Sequence, residues 1–168
     1  MNKVYISIIL LGYLLGANIK STYDVKGMMC DYGCVMTINS TISKLDGVKK
    51  CDVSYEDSKI IVEFDGTKID SKKISKSLPN PYVATLTQET IEKKYLVDGM
   101  TCMGCVSTIN SVLSKEKSII VYSVSLENKL MNLEVDLNSF DEKKFLKNLP
   151  EKFLVTQLFE ESIEKDDK

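Results

Sequence analysis

Gly99-Met100-Thr101-Cys102-Met103-Gly104-Cys105-Val106-Ser107-Thr108-Ile109-Asn110-Ser111-Val112-Leu113-Ser114-Lys115 is the stretch that decides the fold. Its first part is a loop carrying two thiols separated by two residues. Its second part is helical, because Val106, Ile109 and Leu113 recur at three- and four-residue steps and form one apolar face. Just upstream, Lys94 to Val97 is a short β-like run whose Tyr95 and Val97 fall on the same side. Thiols at this spacing can close on one metal ion, or on each other as a disulfide.

The stretch has an earlier copy. Gly33-Cys34-Val35-Met36-Thr37-Ile38-Asn39-Ser40-Thr41-Ile42-Ser43-Lys44 matches residues 104–115 at an offset of 71. The register holds onward: Val53-Ser54 falls on Val124-Ser125, Glu63 and Asp65 on Glu134 and Asp136, Leu78-Pro79 on Leu149-Pro150. Upstream, Gly27-Met28 falls on Gly99-Met100 at an offset of 72, so the first copy has one extra residue, placed between its thiols. Two units of about seventy residues follow, small but able to fold.

Each unit reads as strand, helix, strand, strand, helix, strand. In the second, Ile120 to Leu126 and Leu130 to Val135 are β-rich runs joined by the turn Glu127-Asn128-Lys129. Ser139, with Glu142 three residues on, is expected to cap a second helix that ends at Pro150, and Phe153 to Phe159 is the last strand. The first copy repeats this as Tyr23–Lys26, Cys34–Leu45, Val48–Tyr55, Lys59–Phe64, Ser71–Leu78 and Tyr82–Leu86. The order predicts an α+β chain of two tandem ferredoxin-like βαββαβ sandwiches, over residues 22–87 and 93–160. Thr87 to Glu92 is expected to be a short polar linker, and residues 161–168 a charged tail.

Ahead of the first unit, Lys3 precedes an uncharged run from Val4 to Ile19. A basic start, a short apolar core and Gly16-Ala17 make residues 1–20 a secretory signal peptide, or an uncleaved anchor as the second choice. Leu15 marks cleavage after Ala17 poorly, and the mature chain is expected to begin near residues 18–23. That places the protein in the periplasm or outside the cell, with a membrane attachment only through an uncleaved N-terminus.

The 168 residues are 43% apolar and 27% charged, which is globular in character, and the formal net charge of −2 offers no basic field for nucleic acid. There is no histidine, which removes the usual general base and the commonest metal ligand. Five cysteines are too few for a disulfide-packed domain, and loops of two or three residues would constrain the unfolded chain little as disulfides. Chemical use of the pairs is therefore favoured. Thiolates alone select soft ions.

With Gly-Met-Thr-Cys-Met-Gly-Cys opening a helix in a duplicated βαββαβ unit, the chain resembles the heavy-metal-associated domains. These occur in copper-transporting P-type ATPases, in copper chaperones and in the periplasmic mercury-binding protein. The resemblance covers residues 94–159 well and 22–87 with departures. It implies that Cys102 and Cys105 bind one soft ion and pass it on by ligand exchange, with Met100 bracing the loop from the core. It also implies a metal-donor or metal-acceptor protein as partner, a heavy-metal transporter among them, and no catalysis. Cu(I) is the first expectation, Hg(II) or Zn(II) the others. Mercury detoxification is one alternative, and a periplasmic thiol-disulfide oxidoreductase is the alternative of another class, although no Trp or Pro flanks the pairs.

The first copy departs at its chemistry. Cys30-Asp31-Tyr32-Gly33-Cys34 spaces the thiols by three residues, and Met29 stands where the family has Thr. Cys30 and Cys34 remain candidate ligands, on a loop expected to bulge, with Asp31 opposing thiolate formation while favouring a cation. Tyr82 and Phe153 fall where copper chaperones tend to carry a lysine and the ATPase domains an aromatic. Lys152 is either solvated or a counter-charge to an anionic metal–bis-thiolate. Cys51 reads as a small buried hydrophobe, Met103 as exposed loop tip and Met36 as surface or core filler.

Overall fold

The computed structural model describes residues 18–158. In chain order the elements are β1 (Asn18–Lys26), α1 (Asp31–Ile42), β2 (Val48–Ser54), β3 (Lys59–Asp65), α2 (Ser71–Lys76), β4 (Val83–Asp98), α3 (Met103–Leu113), β5 (Ile119–Ser125), β6 (Leu130–Asp136), α4 (Glu142–Asn148) and β7 (Leu154–Leu158). The strands form one antiparallel sheet in the order β2-β3-β1-β4-β6-β5, with β7 also paired to β4. This is the expected α+β arrangement of two ferredoxin-like units, and the alternation of buried residues on β3 (Ile60, Val62, Phe64) and β6 (Met131, Leu133, Val135) shows why each strand lies flat on a core.

The expected linker is not a linker. Thr87 to Glu92 lies inside the 16-residue β4, whose first half closes the first unit against β1 and whose second half opens the second unit between β6 and β7. Thr90 and Ile91 belong to both: Thr90 pairs with Lys20 and with Asp136, Ile91 with Ile19 and with Val135. Polar residues read as linker composition because the face opposite the cores is solvated there.

A register shift keeps the two cores on one side of this sheet. Val25 faces Ala84 and Tyr23 faces Leu86, but Ser21 faces Glu89 and Ile19 faces Ile91. Inward positions on β4 thus change from even to odd numbers at a bulge beside Leu86 and Thr87. Without the extra residue, Ile91, Tyr95 and Val97 would point away from the side that Tyr23 and Val25 occupy. On the open face Glu134 Oε1 accepts from Lys20 Nζ at 3.1 Å and from Thr90 Oγ1 at 2.7 Å, and on the core side Ser21 Oγ donates to Glu89 Oε1 at 3.1 Å. The Thr90 and Lys20 hydrogen bonds hold the Glu134 carboxyl below its ordinary range in spite of partial burial.

Each core is closed by two helices. Ile38 and Ile42 on α1 and Ile74 on α2 pack on the first half-sheet; Ile109 and Leu113 on α3 and Phe145 on α4 pack on the second. The cap of α4 is Asp141, which accepts from Lys144 N at 3.0 Å, and not Ser139, which instead donates its hydroxyl to Asp136 Oδ1 at 2.7 Å. Two acceptors near one helix start compete, and the carboxylate adjacent to the first helical residue takes the cap. Among the described residues no helix is long and apolar enough to cross a membrane. Of the expected signal segment, residues 1–17 lie outside the described residues, while Asn18, Ile19 and Lys20 begin β1. The charged tail, 161–168, also lies outside them.

Candidate metal centres

In the second unit β4 ends at Asp98, and Gly99 turns the chain with φ +93° so that Met100 enters the core, 4% exposed. Cys102 is then the N-cap of α3, extended at φ −159° and ψ 168°, and Cys105 lies in the first turn, its N–H donating to Cys102 O at 3.0 Å. The two Sγ atoms are 3.8 Å apart and unbonded; Cys102 is exposed and Cys105 buried. The Cys105 thiol is lowered from its usual 9.0 to about 7, first by the backbone N–H of Thr101, then by its hydroxyl and by the N–H and thiol of Cys102, against the penalty of burial. These donors all sit at a helix N-terminus, where partial positive charge favours an anion. Lys152 Nζ approaches the same sulfur at 3.9 Å while lying 4.8 Å from the centre of the Phe153 ring.

The first unit solves the longer spacing without a bulged loop. Cys30 is the N-cap of α1 as Cys102 is of α3, and the extra residue enters the helix, which has 12 residues against 11. Cys34 follows Cys30 by four residues, one turn on, and the Sγ atoms are 3.3 Å apart. Again the first thiol is exposed and the second buried. Cys34 is lowered from 9.0 to about 7, with the Tyr82 hydroxyl as the largest cause, then the Met29 N–H, which donates to the sulfur at 3.3 Å, then Cys30. Tyr82 replaces the hydroxyl that Met29 cannot offer. The phenol is itself raised by its thiol neighbour. Asp31 occupies the first helical position and accepts from Tyr32 N at 2.8 Å.

The two pairs do not meet. The first loop packs on the start of β4, where a Cβ on Gly27 would lie 2.4 Å from Pro81 O; the second follows its end. Sixteen extended residues separate them by about 50 Å. A four-thiol site within one chain is therefore excluded by geometry, and among the described residues no three groups of Cys, Asp or Glu come together around a point. Cys51, 8% exposed on β2, is part of the first core, and burial pushes its thiol up to about 11. Met103 and Met36 are exposed, at 65% and 54%. The pattern of residue types located both sulfur pairs; it did not reveal the backbone N–H groups of Met29 and Thr101 aimed at the inner sulfurs, since any residue supplies an N–H.

The family model of the heavy-metal-associated domain matches twice, at residues 22–80 and 94–152. The chain belongs to this family. Each heavy-metal-associated unit carries its thiol pair at the same corner, between its first strand and first helix. The copper-transporting ATPase 1 of Rattus norvegicus is 26% identical over 144 residues, 68% of this chain and 10% of that protein. The mercuric transport protein periplasmic component of Pseudomonas fluorescens is 41% identical over 56 residues, 33% of this chain and 60% of that one. The chain thus spans about a tenth of the ATPase it matches. Among solved structures, oxidized MerP from Ralstonia metallidurans CH34 is 34% identical, with a TM-score of 0.40, covering 43% of this chain and all of that one. The N-terminal soluble domains of Bacillus subtilis CopA are 17% identical, with a TM-score of 0.39, and cover 86% of this chain and 96% of that one.

Proposed function

We propose that this protein carries soft metal ions, Cu(I) first, between donor and acceptor proteins, with one ion held by Cys102 and Cys105 and another by Cys30 and Cys34. The observation that carries this reading is the repeated geometry of an exposed thiol at a helix N-cap over a buried, acidified thiol, 3.8 and 3.3 Å apart. With metal–sulfur bonds of about 2.3 Å, sulfurs some 3.8 Å apart subtend a tetrahedral angle, and a linear arrangement needs about 4.6 Å. The second pair is therefore set for a bent complex with a side open to a partner's thiol, and rotation of its exposed N-cap side chain would open it toward linear. Ions enter and leave by exchange of one sulfur at a time. The relatives, a copper-transporting ATPase and a mercuric transport protein, fit such a cargo.

The protein is proposed to work outside the cytoplasm. Support comes from the basic-then-apolar N-terminus; Ile19 and Lys20 pair with Ile91 and Thr90, so cleavage after Ala17 keeps these pairs, whereas cleavage beyond Lys20 removes both. N-terminal sequencing of exported protein tests this. For the metal, the reduced protein is titrated with Cu(I) against a chromophoric chelator. Two equivalents are expected, one lost in Cys102→Ser and one in Cys30→Ser. Disulfide reduction of insulin without metal uptake is the contrary result.

A further inference from the structure

The duplication gives the sheet two comparable edges, and they differ in charge. β2 and β5 are the end strands of the sheet order, paired to β3 and to β6. They occupy matching places at the offset of 71 and carry the same register shift, between Val48 and Lys50 and between Ile119 and Val121. Their chemistry is opposite. β2 exposes Lys49, Lys50 and Asp52, the last two joined in an ion pair at 2.6 Å. The matching residues of β5 are Ile120, Val121 and Ser123, and none of its seven residues is charged. Ile120, Val121 and Tyr122 are 46%, 56% and 37% exposed. Edge lysines keep a strand from pairing with another chain, and an uncharged apolar edge invites such pairing.

Hydrogen-bond parity fixes which groups this edge offers. Asp136 N donates to Ser118 O and Leu137 N to Glu89 O, so even-numbered β6 residues bond toward β5 and odd-numbered ones toward β4. Val121, Ser123 and Ser125, opposite Glu134, Asn132 and Leu130, therefore bond inward. Tyr122 and Val124 turn their N–H and C=O groups outward, where among the described residues no strand receives them. We propose that a second copy of the chain covers this edge, its β5 running antiparallel to the first across a two-fold axis at Ser123. Tyr122 then exchanges both hydrogen bonds with Val124 of the copy, and an aromatic side chain lies against a β-branched one twice, a favourable cross-strand pair. Val121 lies opposite Ser125 of the copy, and Ser123 opposite itself. No like charges meet along this pairing, whereas β2 paired the same way sets Asp52 against Asp52. Self-pairing uses up the edge in both copies, which closes the assembly at two. Seven strand residues span about 23 Å, a contact short of the roughly 800 Å² per partner of a standard interface, so the dimer is a weak one, dissociating in the micromolar range.

The full chain is measured by sedimentation velocity across micromolar concentrations. Reductant and a metal chelator are present, so that neither disulfides nor shared ions join the copies. A monomer–dimer equilibrium is expected. Ser123→Asp installs the residue that β2 carries and sets two carboxylates face to face on the axis, raising the dissociation constant about tenfold or more. High salt recovers part of that loss, and Ser123→Asn leaves the dimer as it was. Ile120→Lys/Val121→Lys, again copying β2, leaves a monomer. The first unit carries these charges in the same fold, so the variants are expected to fold, which circular dichroism checks; should the lysine pair not fold, Ser123→Asp decides. Amide exchange resolved by NMR is expected to show Tyr122 and Val124 protected as concentration rises, and unprotected in Ser123→Asp. A chain that stays monomeric throughout, or a dimer that Ser123→Asp leaves intact, overturns the proposal. So does protection of both amides already in the monomer, which puts another segment of the same chain on this edge.

Discussion

Replacing Gly99 by alanine tests whether the second site is held by the backbone as described. Gly99 has φ +93°, and a Cβ there would lie 2.4 Å from Lys152 O and 3.5 Å from Lys152 C. Left-handed backbone costs an L-residue roughly 1–2 kcal/mol. Relief of the contact requires the Lys152 carbonyl to retreat by about 1 Å, and such backbone shifts cost about 1–3 kcal/mol. The sum, about 2–5 kcal/mol, lowers the melting temperature by roughly 5–15 °C in a protein of this size. The retreat also carries the Lys152 ammonium away from Cys105, so Cu(I) affinity at the second pair falls beyond what stability alone explains. Gly27→Ala meets Pro81 O at the same 2.4 Å with φ +94°, and is expected to cost a similar amount while sparing the second pair. Gly104→Ala is the control: its Cβ would meet Cys102 Sγ at an ordinary 3.6 Å, on a helix where alanine is the better former. Thermal melts by circular dichroism, run beside Cu(I) competition, read all three. A Gly99→Ala protein that melts with Gly104→Ala and wild type would refute the reasoning.

Other expectations follow from the same contacts. Cys34 and Cys105, lowered from 9.0 to about 7, should be alkylated by iodoacetamide at rates that level off above about pH 8 and fall about tenfold per unit well below pH 7, while Cys51, raised to about 11, stays unmodified in the folded protein by mass spectrometry. Because the folded values lie below the unfolded one, these thiolates contribute stability that is fully present above pH 9 and lost as pH falls through 7; urea midpoints that fall from pH 7 to 9 would contradict this. Tyr82→Phe removes the largest cause of the Cys34 shift, so the alkylation profile of Cys34 should move to higher pH with that of Cys105 unmoved. Ile91→Pro takes one N–H from a residue paired on both edges of β4, and should raise amide exchange in β1 and β6 alike, on the order of 5–150-fold for 1–3 kcal/mol; exchange confined to one unit would show that β4 does not couple them.

The duplicated register made the fold legible. Once residues 104–115 and 33–44 superimpose, a strand or helix read in one copy checks its counterpart, and two weak periodicities become one firm one. What the sequence hid lay where tertiary context overrides local composition. Thr87 to Glu92 carries the polar residues of a linker, yet it is strand because β1 and β6 both supply hydrogen-bonding partners there. The extra residue at Asp31–Gly33 looked like a loop insertion, and a helix that starts right after its first cysteine absorbs it for one more peptide unit. Ser139 satisfied a capping pattern that Asp141 satisfies better. At the sites, residue type exposed all four thiols and the nearby Lys152, whereas the Tyr82 hydroxyl at Cys34 depends on how the two strand ends face each other.

The shared strand also acts as a spacer for visitors. A globular partner the size of one unit has a radius of gyration near 11 Å, so it is about 28 Å across. Two such molecules, one at each end of β4, leave a gap between them. On the proposed carrier reading, a delivering protein and a receiving protein can then dock at the same moment without collision, and cargo loaded at one end reaches the other only by way of solution or a second copy of the chain.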